Sequence, residues 1–456
     1  MNKKFSSLSI SKEMLNNLNE LGFKEMTPVQ AESLPHILQN RDVVVQAKTG
    51  SGKTLAFGLG VLNRLNVKNF RVQSLVLCPT RELADQVAKE LRKLARFQHN
   101  IKILVLCGGM PFGSQLGSLR HGAHIVVGTP GRVLKHLGKS TLSLENIETF
   151  VLDEADKMLD MGFSEDIEKV ISYIKNKPQT LLFSATYPDE ILKLSRSIQN
   201  DATSIKTVSY DSENKIVEHF YNAQVDEKVP SLLKLISKHR PETTIVFCNT
   251  KVKTEEISDA LLEAGVDAIA IHGDLEQYER VDALTQFSNR SCSVLVATDV
   301  AARGIDIKDL AMVVNFDVPH DESIYTHRIG RTGRAGEVGL AVTLYNNYEA
   351  REIEFYRNET RLFESLEELH RVKDFQIKPL NMTLVIEGGK KDKVRAGDIL
   401  GALTGDAGLE GKHIGKIDIH DRQSYVAVNR SFIDEAHDKL KNGKIKGRKF
   451  SVWILK

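Results

Sequence analysis

Tryptophan occurs once in this chain, and cysteine only four times. No apolar run approaches the ~20 residues that a membrane-spanning helix needs, and the opening MNKKFSSLSI has no long apolar stretch behind its two lysines. A cytoplasmic protein without membrane association is expected. Cys78, Cys107, Cys248 and Cys292 form no C-x-x-C pair, and no His/Cys cluster has zinc spacing. Three of the four lie in apolar strand-like runs (SLVLC, KILVLC, TIVFC), as reduced core thiols would. The chain also has little net charge, +2 overall. Residues 380–456 nevertheless hold 15 Lys+Arg against 10 Asp+Glu, leaving 47 against 50 elsewhere. A basic tail on a near-neutral body suggests contact with a polyanion, although a solvated charged face would give the same count.

What is present is ordinary globular composition in 456 residues, with 41% hydrophobic and 27% charged. Domains usually hold about 100–200 residues, so two or three are expected. Between about residues 25 and 208, continuous apolar runs alternate with helical stretches: DVVVQ at 42–46, SLVLCP at 74–79, HIVVGT at 124–129, FVLDE at 150–154 and LLFSAT at 181–186. Unbroken apolar strands separated by helices predict parallel sheets buried on both faces. A polar break over 201–215 precedes a second series: TIVFCNT, DAIAIHG, CSVLVATD, AMVVNFD and GLAVTLY. It reads as a structural duplication without a clean sequence repeat. Residues 350–378 are charged and read as helical, then linking. The last stretch reads β-α-β-β-α-β, the ferredoxin-like order that RRM domains share. The expected domains are 1–208, 209–375 and 376–456.

The strongest local signal is Ala47-Lys48-Thr49-Gly50-Ser51-Gly52-Lys53-Thr54, directly after the strand DVVVQ. Glycines let backbone N–H groups turn onto phosphate oxygens, and a following helix adds its positive end. Lys53 is placed to reach the β- and γ-phosphates of ATP, and the Thr54 hydroxyl to ligate Mg²⁺. Ala47 stands where a P-loop has its first glycine. Asp153-Glu154-Ala155-Asp156 follows the apolar strand FVL. There Asp153 would hold Mg²⁺ and Glu154 would polarise the attacking water; alone, the tetrad would read as a helix cap.

Here the chain resembles the DEAD-box helicases over residues 1–350, with a dozen motifs in the family's order. The resemblance implies two tandem RecA-like parallel-sheet domains, an RRM-like α+β domain, and an RNA-dependent ATPase that separates short RNA duplexes. Phe23, Thr27 and Gln30 resemble the motif that reads adenine. Pro79-Thr80-Arg81-Glu82-Leu83, Gly108-Gly109 and Thr129-Pro130-Gly131-Arg132 resemble RNA-contacting loops, giving Arg81, Gly109, Thr129 and Arg132 as candidates. Ser184-Ala185-Thr186 resembles the motif coupling hydrolysis to RNA, together with Asp156 and His327. In the second half Arg280 and Thr298 resemble RNA contacts, and Arg303 and Asp306 resemble nucleotide contacts. His327-Arg328-Ile329-Gly330-Arg331-Thr332-Gly333-Arg334 resembles the arginine-finger motif. Arg331 and Arg334 lie about 280 residues beyond the P-loop, so they help phosphoryl transfer only if two domains close.

Backbone contacts carry no sequence information, so selectivity falls to the tail. Its basic groups cluster as Lys390, Lys391, Lys393, Arg395 and as Lys446, Arg448, Lys449. Tyr425 is a candidate stacking platform, but Val385 and Gln423 stand where further sheet aromatics are usual. The tail resembles that of a bacterial subfamily of these helicases, which implies docking on a 23S rRNA hairpin in the large ribosomal subunit precursor; a monomer is expected. His272 reads as loop packing rather than a base, and Trp453 as core. An ATP-gated RNA clamp, a non-catalytic rRNA-binding factor and a DNA translocase of related fold compete with the helicase reading. Intact Lys53, Asp153, Glu154, Arg331 and Arg334 argue against the non-catalytic one.

Overall fold

The computed structural model describes residues 3–47, 50–207, 216–302, 310–333, 338–354, 356–357, 361–369, 375–405 and 408–455. Five candidates, Lys48, Thr49, Arg303, Asp306 and Arg334, lie outside them. The chain forms two compact units, the first made almost wholly of residues 1–212 and the second of 213–456.

The first unit holds one parallel sheet. Its strands are β1 (Val43–Gln46), β2 (Ser74–Leu77), β3 (Ile103–Leu106), β4 (Ile125–Gly128), β5 (Thr149–Asp153), β6 (Gln179–Ser184) and β7 (Thr203–Lys206), in the order β3-β4-β2-β5-β6-β1-β7. Alternate residues leave opposite faces, so Val43 and Val45 join one core while Val44 joins the other. Helices cover both faces, which is why the strands read as unbroken apolar runs. Strand β7 corrects the expected polar break: Thr203–Lys206 pairs parallel with β1 as an edge, where only Ile205 is buried.

The second unit begins with another parallel sheet: β8 (Ile216–Asn222), β9 (Thr244–Cys248), β10 (Ala268–Ile271), β11 (Val294–Thr298), β12 (Met312–Asn315), β13 (Gly339–Tyr345) and β14 (Leu362–Glu364). Their order is β10-β11-β9-β12-β13-β8-β14. The short edge strand β14 lies in the stretch expected to be helical and linking. Only Ala350–Glu354 there is α-helical among the described residues.

An antiparallel sheet of β15 (Asn381–Ile386), β16 (Ile414–Ile419), β17 (Ser424–Asn429) and β18 (Val452–Ile454) follows, in the order β16-β17-β15-β18. Helices Ala396–Thr404 and Ile433–Asn442 complete the expected β-α-β-β-α-β order. Leu384, Ile386, Val426 and Val428 point to these helices and pack with Ile399, Leu403, Ala436 and Leu440.

The other sheet face carries the row Asp418–Tyr425–Val385–Trp453. It lies against helix Gln277–Ser288 and the turn after it. The Tyr425 hydroxyl donates to Asp282 at 2.7 Å, the Asn289 amide donates to Thr383 Oγ1 at 3.2 Å, and the Ser291 and Thr383 hydroxyls are 2.8 Å apart. Arg430 adds an ion pair with Asp267 at 3.0 Å. Two sequence readings are corrected here. Tyr425 is 2% exposed and holds the docking surface, so no base has access to its ring, whereas Trp453 is 38% exposed on the edge strand rather than core.

All four cysteines are buried and free, and burial pushes the Cys107 and Cys292 thiols up to about 12. No helix among the described residues is long and apolar enough to cross a membrane.

Candidate functional site

The carboxyl ends of β1, β5 and β6 create the first site. Gly50 (φ 85°) and Gly52 (φ 93°) take left-handed backbone, and Gly52 starts helix Lys53–Arg64. A side chain at Gly52 is also barred sterically, because a Cβ there would lie 2.3 Å from Gln30 Nε2. Lys53 is 6% exposed and its Nζ donates to the Ala47 carbonyl at 2.9 Å. Thr27 Oγ1 donates to the Ser51 carbonyl at 2.8 Å, and Gln30 Nε2 to the Gly52 carbonyl at 3.1 Å. The residues expected to read adenine therefore also brace the phosphate loop. Phe23 packs partly buried against the same core, and Thr54 sits one residue into the helix.

Asp153 ends β5 and is buried, and its Oδ1 has no hydrogen-bond partner. Burial pushes its carboxyl up to about 6, against the pull of Lys53. A buried carboxylate oxygen with no protein partner fits a hard divalent cation such as Mg²⁺, with the Thr54 hydroxyl as a second oxygen donor. Glu154 takes left-handed backbone (φ 54°, ψ 51°) and starts helix Ala155–Asp160. Asp156 Oδ2 accepts from the Ala185 and Thr186 backbone N–H groups at 3.1 and 2.9 Å and from Thr186 Oγ1 at 3.0 Å. Ser184 Oγ closes the turn on the Thr186 carbonyl at 2.6 Å. The acidic tetrad and the Ser184–Thr186 loop are thus one hydrogen-bonded body.

Four further candidates of the first unit, Arg81, Gly109, Thr129 and Arg132, lie beyond β3 and β4. Arg81 lies against the Gly108–Gly109 backbone so closely that a Cβ on Gly109 would sit 2.0 Å from its guanidinium. Thr129 precedes helix Pro130–Gly138, which presents Arg132. The Arg132 guanidinium donates to the Met110 carbonyl at 2.9 Å and to Gln115 Oε1 at 2.8 Å. Gln115 also anchors to the Cys107 carbonyl and to His136. Sequence reasoning missed it, since a lone Gln in a helix gives no signal.

In the second unit Arg280 and Thr298 occupy helix Gln277–Ser288 and the end of β11, and His327 and Arg331 flank the end of helix Glu322–Ile329. Between them stands Arg328, named only as part of its motif. It is 2% exposed. Its guanidinium grips both Asp299 oxygens at 2.7 Å, reaches Asn249, Asn315 and the Asp317 carbonyl, and lies 5.1 Å from the Phe247 ring centre. One buried fork therefore joins the carboxyl ends of β9, β11 and β12, with charge-assisted bonds of the strong kind. His272 is packed, its Nε2 3.0 Å from a Glu255 oxygen but out of line for a hydrogen bond.

The two basic segments of the tail form one patch. Lys390, Lys391, Lys393, Arg395, Lys446, Arg448 and Lys449 are all exposed, and Lys446 Nζ donates to the Lys393 carbonyl at 3.0 Å. Lys393 and Lys446 both take left-handed backbone (φ 62° and 53°), the sharp turns that bring the segments together.

Three family models match the chain in series: DEAD/DEAH box helicase over residues 27–194, helicase conserved C-terminal domain over 227–336, and DbpA RNA binding domain over 383–454. The ATP-dependent RNA helicase DbpA of Escherichia coli is 50% identical over 99% of both chains. The DEAD-box ATP-dependent RNA helicase CshA of Geobacillus kaustophilus is 42% identical over 78% of this chain and 76% of its own. Among solved structures, S. cerevisiae Dbp5 bound to RNA and ADP BeF3 covers 80% of this chain and 96% of its own, with a TM-score of 0.72 and 29% identity. Mss116p bound to ssRNA and AMP-PNP covers 80% of both chains, with a TM-score of 0.71 and 28% identity.

Proposed function

We propose, from the premise that this chain belongs to the DEAD-box family of ATP-dependent RNA helicases, that it remodels 23S rRNA during assembly of the large ribosomal subunit. On this reading it acts in the cytoplasm, as a monomer, with its C-terminal domain docked on an rRNA hairpin. The observation that carries the ATP chemistry is the Asp153 Oδ1 left without a partner in the pocket of Lys53. Mg²⁺ held by Asp153 and Thr54 would neutralise charge on the β- and γ-phosphates. Lys53 moves from the Ala47 carbonyl to phosphate oxygen. Glu154 takes the proton of the attacking water. Arg331 and Arg334 meet the charge developing on the γ-phosphate when ATP and RNA together draw the second lobe over the first. Arg303 and Asp306 would complete the nucleotide site, with Lys48 and Thr49 in the phosphate loop.

RNA is gripped through its backbone by Arg81, Gly109, Thr129 and Arg132 on the first lobe and by Arg280 and Thr298 on the second. Asp156, Thr186, Ser184 and His327 transmit that contact to the hydrolytic carboxylates. The buried sheet face around Tyr425 removes base stacking there, so target choice rests on the exposed patch of Lys390, Lys391, Lys393, Arg395, Lys446, Arg448 and Lys449.

The test is ATP turnover against a panel of ribosomal RNA fragments, with and without residues 376–456. Deletion is expected to erase the preference among fragments while leaving weak general stimulation. A truncated chain that still discriminates the fragments defeats the targeting role.

A further inference from the structure

Lys157, the residue directly after the acidic tetrad, has no role in the reading above. Its Nζ donates to Glu154 Oε2 at 2.8 Å, and the two side chains are 4% and 5% exposed. Its backbone N–H donates to Asp156 Oδ1 at 3.0 Å. Lys157 therefore touches both the carboxylate assigned to water activation and the one bonded to the Ser184–Thr186 loop. Asp156 is used on both oxygens, Oδ1 by Lys157 and Oδ2 by Thr186.

A buried ion pair adds little net stability over an apolar pair of the same volume. What it does supply is direction: the ammonium fixes which way the Glu154 carboxylate points. Glu154 sits on left-handed backbone (φ 54°, ψ 51°) just ahead of the helix, and the ion pair ties its side chain to that helix. Lys157 is three residues on, in the first turn of the next helix, one turn away on the same face.

We infer that Lys157 is a positioning residue of the hydrolytic step, holding Glu154 in register with the RNA-coupling carboxylate Asp156. The inference rests on Glu154 as the water-activating group. Lys157 itself is buried, with its side chain 4% exposed and bonded to Glu154, so its loss is expected in turnover and not in binding.

Lys157→Met keeps the aliphatic stem and removes the cation. RNA-saturated kcat is expected to fall about tenfold, with KM for ATP and the affinity for a fluorescent ADP analogue changed less than about twofold. Lys157→Arg is expected to remain within about threefold of the parent, since it restores the charge. In a Glu154→Gln background, adding Lys157→Met is expected to change nothing further. Should Lys157→Met fail to bind the ADP analogue, Lys157→Gln, which keeps an N–H donor group but no charge, is read by the same criteria. A parent-like kcat in either folded variant overturns the inference, as does a loss that adds in full to that of Glu154→Gln. The two layers fail differently: an active Glu154→Gln enzyme removes the role of Glu154, whereas an inactive one beside a parent-like Lys157→Met removes only that of Lys157.

Discussion

Shift the strand numbers of the second sheet down by seven and they reproduce the first: β3-β4-β2-β5-β6-β1-β7 against β10-β11-β9-β12-β13-β8-β14. The two lobes are one topology used twice, and the difference lies at corresponding positions. After β1, helix Lys53–Arg64 begins with a buried lysine; after β8, helix Lys228–His239 does too. Lys53 rests on a loop carbonyl. Lys228 is bound to the Glu349 carboxylate and the Phe316 carbonyl, both at 2.9 Å. At the end of β5 the chain places Asp153 and Glu154, whereas at the end of β12 it places Asn315 and Phe316. The second lobe fills the corresponding pocket with its own ion pair, whereas in the first the hydrogen bond of the lysine among the described residues is to a carbonyl. A parallel sheet thus supplies a place at its carboxyl edge, and the loops decide whether a nucleotide can use it.

The sharpest break in this comparison is to remove each lysine in turn. Lys53→Ala is expected to cut RNA-stimulated ATP turnover by about 100-fold or more, with thermal stability little changed. Lys228→Ala is expected to do the reverse. Glu349 loses its cation, unfolding free energy falls by on the order of 3 kcal/mol, and turnover per folded molecule stays near the parent. Denaturant titration beside an ATPase assay separates the two. A Lys228→Ala enzyme that is stable but inactive would falsify the reading of the second pocket as sealed.

A smaller effect sharpens the contrast between the second lobe and its docked tail domain. Tyr425→Phe removes the hydroxyl on Asp282, a carboxyl that burial already pushes up and that the tyrosine pulls back. The expected cost is about 1–2 kcal/mol, read as a lower unfolding midpoint. RNA affinity should be unchanged, because the ring is buried; a selective loss of RNA binding would return Tyr425 to the interface.

Most of the scaffold was legible because buried parallel strands must be continuously apolar, and the P-loop and acidic tetrad carry their chemistry in local spacing. The edge strands β7 and β14 were not. Edges need only one apolar face, and Thr203–Lys206 buries a single isoleucine. Tyr425 and Trp453 were exchanged for a related reason. They face the same way two strands apart, and only the docking of that face on residues 282–291 decides which is covered. Gln115, Lys157 and Arg328 act through contacts that spacing alone does not announce.

The smallest effect compares His136 with the basic groups beside it, Arg132 and Lys135. Burial and the neighbouring Arg132 and Lys135 hold its imidazole down to about 4, so it stays neutral in the fold, bonded to Gln115 and Thr141. The unfolded chain binds a proton at this residue below about pH 6.5, and the folded chain does not until about pH 4. His136 therefore contributes stability that is complete above pH 6.5 and is lost as pH falls towards 4. In His136→Gln, which keeps an amide for Gln115 and Thr141, the unfolding midpoint should drop less steeply across that window than in the parent. Equal slopes would mean that His136 titrates alike in both states, and that the Gln115 network does not hold it neutral.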